Sequence, residues 1–317
     1  MHVTIKKLAA ELELSPGTVS LALNDDPRIA AATKSRVKQL ADKRGYVPNN
    51  FGRGLQAGKS HLAGYMANSV VGSFYNIILQ EIGEAATAAD YGLLTALTGK
   101  TALDAQIRLF LGKNIDGLIV SLNYSDIRSS LKMLESRKIP VVFCSVQDSG
   151  PHPYVITDNF VGGQLAAEHL VALGHRHLAC CSVDAFRLKG NLDVIGKAKL
   201  PSPVIFRESE ELETALKERR ISGVIAYSDQ QAIKLKHVAE RCGLRIPADL
   251  SIVGFDDLWF AELEEFNFTT VAQPKIEIGR QTMELLLELM KTGKGGNRLL
   301  EPELVVRKST APPARIS

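Results

Sequence analysis

The stretch Val3–Asn24, VTIKKLAAELELSPGTVSLALN, decides how the fold begins. Ile5, Leu8, Ala9 and Leu12 recur at the spacing of one helix face, with Lys6, Lys7, Glu11 and Glu13 off it. Ser15 is a residue type whose side-chain oxygen caps helix N-termini. Pro16 suits the first helical position, where its missing N–H would have had no partner anyway. A second helix therefore starts at once. Val19, Ala22 and Leu23 can pack on the first helix, which leaves Gly17, Thr18, Ser20, Leu21 and Asn24 facing elsewhere. Two short helices joined by a turn of a few residues match the helix-turn-helix, whose second helix enters the major groove of DNA.

Outward from this stretch, residues 31–43 (AATKSRVKQLADK) read as a third helix with Val37, Leu40 and Ala41 inward and Lys34, Arg36 and Lys38 outward. Gly45 closes it. A three-helix domain over 1–48 follows, and 49–60 reads as a weakly patterned hinge. Charge supports the division. The first 60 residues hold ten of the 38 lysines and arginines but only five of the 35 acidic residues. A basic head on a nearly neutral body points to a polyanion as the partner of the head alone, because neutralised phosphates release their counterions.

From His61 the chain alternates apolar runs (LAGYM, LLTAL, GLIVSL, PVVFCSV) with helical spacings, and after YVITD the alternation restarts with a helix around Gln164–Leu173, then HLACCSV, VIFR, GVIAYSD and LSIVGF with the helices ESEELETALKERR and QQAIKLKHVAERCG between them. Near-continuous apolar strands separated by amphipathic helices mean parallel sheets covered on both faces. The fold class is thus α/β: a three-helix head and two doubly wound lobes, with a ligand cleft expected beyond the carboxyl ends of the strands. The helix Ile276–Met290 and the run ELVVRK follow the second sheet, and the sequence does not assign them to a lobe. The four cysteines have no CxxC spacing and read as buried free thiols. With neither a secretory leader pattern nor an apolar run of spanning length, the chain reads as cytoplasmic, without a membrane partner.

With these elements in this order, the chain resembles the LacI/GalR family of bacterial transcriptional regulators over nearly its whole length. The matching segments include TIKKLAAELELSPGTVSLALN, RGYVPN, TDNFVGGQLAAEHLVALGHRHLA, SDQQAIK, GLRIPADLSIVGFDD and FTTVAQPKIEIG. The resemblance implies a homodimeric repressor on a pseudo-palindromic operator, controlled by a small-molecule effector, with carbohydrate the expected class. It implies an amino-terminal lobe of 61–157 and about 272–298 and a carboxyl-terminal lobe of 158–271 and about 299–312. It also implies that Leu55 wedges into the minor groove beside Arg53, with Asn49 preceding them, in a hinge weakened by Gly52 and Gly54. The base-reading positions fall at Pro16, Gly17 and Leu21. Leu21 can touch a thymine methyl and Gly17 permits close backbone approach, while Thr4, Ser15, Thr18, Ser20 and Asn24 suit phosphates.

In the cleft the resemblance implies effector contacts from Arg187, Asp256, Ser228 with Asp229, the aromatic pair Phe74 and Tyr75, and Ser145, which stands where some sugar-sensing members carry an acid. Trp259 is a candidate for the aromatic face over a sugar ring. Adjacent hydroxyls suit a carboxylate or a guanidinium fork, which gives the acid and the arginine their chemistry. The stretch from Gly190 to Ile221 is short for the usual helix and strand expected after Arg187.

Other readings are weaker. The run GRGLQA at 52–57 imitates a dinucleotide fingerprint, and GKS at 58–60 the end of a phosphate loop, but no strand precedes either. His169, His175 and His177 read more simply as a helix end and turn than as metal ligands. Asp256 and Asp257 point apart, so no catalytic constellation, metal or cofactor is expected.

Overall fold

The computed structural model describes residues 3–46, 59–68, 73–98 and 103–313. Two compact units divide between Ser60 and His61. The first contains α1 (Ile5–Leu12), α2 (Pro16–Leu23) and α3 (Ala31–Lys43). Leu8, Ala9, Val19, Ala22, Val37 and Ala41 form its core, with Val3, Ile5, Leu12, Leu23 and Leu40 packed around them. Thr4 caps α1 by accepting the Lys7 N–H, and Ser15 caps α2 by accepting the Thr18 N–H, with Pro16 in the first turn. At the end of α3 the Tyr46 N–H reaches the Ala41 carbonyl and the Gly45 N–H the Asp42 carbonyl. Gly45 has φ +62°, the left-handed value this termination requires.

The second unit contains two six-stranded sheets. In chain order its first part runs β1 (Leu62–Ala67), α4 (Ser73–Ala88), β2 (Gly92–Leu97), α5 (Leu103–Gly112), β3 (Gly117–Ser121), α6 (Tyr124–Glu135), β4 (Val141–Cys144) and β5 (Tyr154–Thr157). The next part runs α7 (Asn159–Ala172), β6 (Leu178–Cys181), α8 (Ala185–Lys197), β7 (Val204–Phe206), a 3-10 turn, α9 (Glu213–Lys217), β8 (Gly223–Ile225), α10 (Asp229–Arg241), β9 (Ser251–Asp256) and β10 (Thr269–Ala272). Then come α11 (Lys275–Thr292), β11 (Arg298–Leu300) and β12 (Glu303–Val305). The sheet orders are β11-β5-β4-β3-β1-β2 and β12-β10-β9-β8-β6-β7, parallel throughout except for β12 against β10.

Alternation along the strands explains the double covering. In the first sheet Tyr65, Ile119, Val142 and Val155 face α4 and α11, packing with Ile78, Ile82, Met283 and Leu286. Met66, Leu118, Val120 and Phe143 face the opposite way, onto Ile107, Phe110, Ile127 and Leu131 of α5 and α6. The second sheet repeats this: Ala179, Val224 and Ile252 meet Leu235 and Val238 of α10, while Cys180, Ile225 and Val253 meet Ala167 and Leu170 of α7. All four cysteines are free thiols, three of them buried.

The chain passes between the lobes three times: from β5 to α7, from β10 to α11, and from β11 to β12. The late helix α11, left unassigned by the sequence, packs on α4 and the first sheet, whereas the ELVVRK run supplies β12 to the second.

Several local expectations change. The helix expected around Gln164–Leu173 begins at Asn159, because the Asp158 carboxylate accepts the Phe160 and Val161 N–H groups. The ESEELETALKERR segment breaks into a 3-10 turn, Ser209–Leu212, and the short α9. The segment after Arg187 is not too short. Asp184 accepts the Phe186 and Arg187 N–H groups, so α8 starts before Arg187 and a full helix and β7 fit before Ile221. The strands β10 and β11 had no expectation at all.

Candidate functional site

Two surfaces carry the expected site residues. On the head, Pro16 and Gly17 are exposed, Thr18, Ser20 and Leu21 are half-buried, and Asn24 closes α2 at its far end. Thr4 and Ser15 serve first as caps, which ties their oxygens to the helices they begin. Much of the basic charge is internally engaged. Lys38 pairs with Asp25 at 2.7 Å, Lys34 donates to the Asp25 carbonyl, Arg28 grips Asp26 and Arg44 pairs with Glu11. The Arg28 fork holds the Asp26 carboxyl down to about 2. Lys34 and Lys38 thus turn back on the loop that follows α2. Asn49, Arg53 and Leu55 lie outside the described residues.

The second surface is a cavity of about 430 Å³ where strand ends of the two sheets meet. That volume lies within the usual range of small-molecule sites, about 300–1,000 Å³. Arg187, in the first turn of α8, is fixed by donating Nε–H to Asn159 Oδ1 at 2.9 Å and Nη1–H to the Tyr227 carbonyl at 2.6 Å. Its guanidinium carbon lies 3.5 Å from the Phe255 ring centroid and 4.9 Å from that of Tyr227. Close helix packing makes this placement possible. A Cβ on Gly163 would stand 2.1 Å from the Arg187 carbonyl oxygen, and one on Gly190 2.1 Å from that of Phe160. Only glycines let α8 lie this close to α7.

Asp256 ends β9 with φ +106° and Asp257 follows at +50°, a left-handed pair of non-glycine residues. Such backbone costs about 1–3 kcal/mol per residue and is held in place by its surroundings. Gln273 Nε2 donates to Asp256 Oδ1 at 2.6 Å, and Lys275 Nζ donates to both the Asp256 and Asp257 carbonyls. Asp257 itself turns away to Arg307, at 2.7 Å. Burial pushes the Asp256 carboxyl up to about 6 against the pull of Arg187. It pushes the Tyr75 hydroxyl up to about 12, so that group stays a neutral donor.

Of the expected contacts, Phe74, Tyr75, Ser145, Arg187, Ser228 and Asp256 line the cavity together. Ser145 also has positive φ, +56°, at the end of β4. Asp229 and Trp259 stand outside its wall. The Asp229 carboxylate is wholly buried behind Ser228, where it accepts the Thr270 hydroxyl at 2.6 Å and the Leu258 N–H at 2.8 Å. Burial pushes it up to about 7. It braces the loop after β9. Trp259 begins a 3-10 turn and is 65% exposed, packed edge-on against Phe260.

The sequence reading missed Asn68, Asn123, Gln147, Asn159, Asp184, Gln230 and Gln273, all in the cavity wall. A signal for most existed. Asn68, Asn123, Gln147, Asp184 and Gln273 each follow the carboxyl end of a strand, where α/β sheets bind ligands.

His175 is a core histidine held by the Ser222 and Ser251 hydroxyls and the Ala311 carbonyl. Among the described residues no group of three His, Cys, Asp or Glu side chains is placed to hold a metal ion.

Both units match known protein families. Residues 4–49 match the bacterial regulatory proteins of the lacI family. Residues 62–191 match the periplasmic binding proteins and sugar binding domain of the LacI family, and 167–310 a periplasmic binding protein-like domain. The chain belongs to the LacI family. Relatives include the HTH-type transcriptional repressor CytR of Escherichia coli (strain K12), 29% identical over 97% of this chain and 96% of that one. The repressor PurR of Vibrio parahaemolyticus is 28% identical over 96% and 98%. Among solved structures, a Lac repressor dimer bound to operator and the anti-inducer ONPF matches with TM-score 0.88 at 25% identity, covering 98% of this chain and all of that one. A complex of the transcriptional regulator CelR with cellobiose matches at 0.70, also at 25% identity, over 97% and 100%.

Proposed function

We propose that this LacI-family member is a transcriptional repressor that binds a pseudo-palindromic operator as a homodimer and is controlled by a small molecule in the cleft between its sheets. One observation carries the reading: a single chain joins a capped helix-turn-helix to a cavity whose wall combines a fixed guanidinium, a buried carboxylate and aromatic rings. The effector is a sugar or sugar derivative. Arg187 and Asp256 hold adjacent hydroxyls, Ser145 and Ser228 take others, and Phe74 with Tyr75 covers the C–H side of the ring. On the head, Pro16, Gly17 and Leu21 meet bases. Thr4, Ser15, Thr18, Ser20 and Asn24 meet phosphates, and Asn49, Arg53 and Leu55 extend the contact into the minor groove.

Control follows from differential affinity, since a ligand shifts an equilibrium only as far as it prefers one state. Gln273 and Lys275 give the cleft a mechanical connection. They lie on the passage from β10 to α11, so the segment that holds Asp256 leads directly into a helix packed on the first sheet. No catalytic role is assigned, because Asp256 and Asp257 face different partners. The protein works in the cytoplasm, where the operator is. Among the described residues no helix is long and apolar enough to cross a membrane.

The test is a thermal-shift screen of sugars, sugar acids, nucleobases and amino acids, followed by DNA-binding titrations with and without the hit. A sugar hit that changes operator affinity is expected; a hit confined to purines overturns the carbohydrate assignment. Removing residues 1–58 should abolish operator binding and spare the ligand. A full-length chain without salt-dependent affinity for any site near its own gene overturns the regulatory reading.

A further inference from the structure

How the head addresses a sequence is visible on α2. Its eight residues, PGTVSLAL, include no charged side chain. Val19 and Ala22 are buried against α1 and α3, yet Pro16, Gly17 and Leu21 on the outward side are as apolar as the buried side. Gly17 and Leu21 stand four residues apart and are neighbours along one helix face.

Gly17 is not demanded by the fold. A Cβ there would meet only the Ser15 hydroxyl oxygen, at an ordinary 3.7 Å. Alanine would moreover favour the helix. A glycine with room around it, exposed at the amino-terminal turn, serves a partner that comes close. The polar groups beside it are largely committed to the helix itself. Ser15 Oγ accepts the Thr18 N–H at 3.0 Å, and the two hydroxyls bond each other at 2.9 Å. Of the basic side chains of the following loop and of α3, Arg28, Lys34 and Lys38 are held by Asp26 and Asp25, while Arg36 is exposed.

We propose that α2 reads A·T pairs in the major groove through a methyl group: Leu21 packs on a thymine C5 methyl, and Gly17 brings the helix backbone so near the base edges that any side chain at position 17 is shut out. The proposal rests on the regulatory reading. Its chemistry follows from what the groove displays. Guanine is read by an arginine or lysine fork, which α2 lacks, and adenine by an amide pair. Thymine alone of the four bases offers a methyl there. The amide nearest to Leu21 is that of Asn24, which stands beyond the last helical residue as the C-cap of α2. Selectivity then depends on one carbon atom, and 5-methylcytosine, which carries the same methyl, should be accepted where unmodified cytosine is not.

The experiment uses the full-length chain to enrich a site from a random duplex library, then measures binding to that site with each thymine replaced in turn by deoxyuridine. At one position per half-site the loss of the methyl should weaken binding about fourfold. A 5-methylcytosine·guanine pair there should bind better than cytosine·guanine. Leu21→Ala should bind the thymine and deoxyuridine sites alike. Gly17→Ala should lose about tenfold on the enriched site and nothing on random duplex, with no fall in melting temperature. Equal binding of thymine and deoxyuridine sites at every position, or unchanged affinity of Gly17→Ala, overturns this inference alone. A library that yields no enriched sequence overturns the regulatory reading and the inference with it.

Discussion

The two walls of the cleft are built differently. The wall from the second sheet carries Asp184, Arg187 and Asp256, and each is tied into its own lobe or the passage leaving it: Asp184 caps α8, Arg187 reaches Asn159 and the Tyr227 carbonyl, and Asp256 accepts from Gln273. The wall from the first sheet carries Asn68, Phe74, Tyr75, Ser121, Asn123, Ser145 and Gln147, with no ionic side chain among the described residues. There Gln147 Oε1 is buried without a hydrogen-bond partner among the described residues. The charged wall is organised before a ligand arrives, while the neutral one keeps an acceptor unsatisfied. Under the proposed function a ligand anchors on the second lobe first, and its contacts with the first lobe then set the response. Preorganisation lowers the cost of the first step, and differential contact in the second sets the size of the response.

Substitutions can break this asymmetry. Arg187→Ala should have the largest effect, about 100-fold or more in effector affinity by calorimetry, because hydrogen bonds to charged groups are worth about 1.5–3 kcal/mol each. Operator affinity without effector should stay the same; equal loss of both would make Arg187 a structural residue only. Asp256→Asn should weaken the effector about tenfold at pH 7. It should also remove a pH dependence. Burial puts this carboxyl at about 6, so in the wild type it gains a proton as pH falls from 7 to 5 and surrenders acceptor capacity, and affinity drops over that window. A wild-type affinity flat across pH 5–7 would show that the ligand does not use the ionised acid.

Lys275→Met tests the passage between the lobes. It strips the donor from the Asp256 and Asp257 carbonyls and should cost about 2 kcal/mol in urea unfolding. Its effect on effector affinity should be smaller than that of Arg187→Ala. Gln147→Leu should have the smallest effect, a loss of about threefold in effector affinity, with unfolding stability unchanged or raised because a buried unpaired acceptor disappears. An effect of Gln147→Leu exceeding that of Arg187→Ala would reverse the order of the walls.

How much of this was legible in the sequence depended on whether the cause was local. The strands β1, β3, β4, β6 and β9 show as continuous apolar runs because both of their faces are covered. The short strands β10 and β11 do not; RLL becomes a strand only because β5 has a free edge beside it. Ser15 and Pro16 announce α2 because a cap is a contact over three residues. Asp184 announces α8 in the same way, three residues before Arg187, which is what gives the helix and β7 room before Ile221. Asp229 and Asp256 both end or follow strands and look alike in sequence. Which of them faces the cavity is decided by Thr270 and the Leu258 N–H, neither of them adjacent in the chain. Trp259 has the ring that suits a sugar face, but its position depends on the turn after β9, which local spacing does not show.

The threefold passage between the lobes has a consequence for the order of synthesis. The first sheet begins at Leu62, but its edge strand β11 and its covering helix α11 come only after β10, near the end of the chain. Neither lobe is a continuous segment. While the chain emerges from the ribosome, the amino-terminal lobe must wait with an open sheet edge and the apolar side of α4 uncovered until some 140 further residues have followed β5. Exposed edges and apolar faces are where nascent chains associate wrongly. A premature stop between β10 and Arg298 therefore leaves two incomplete lobes rather than one finished and one missing.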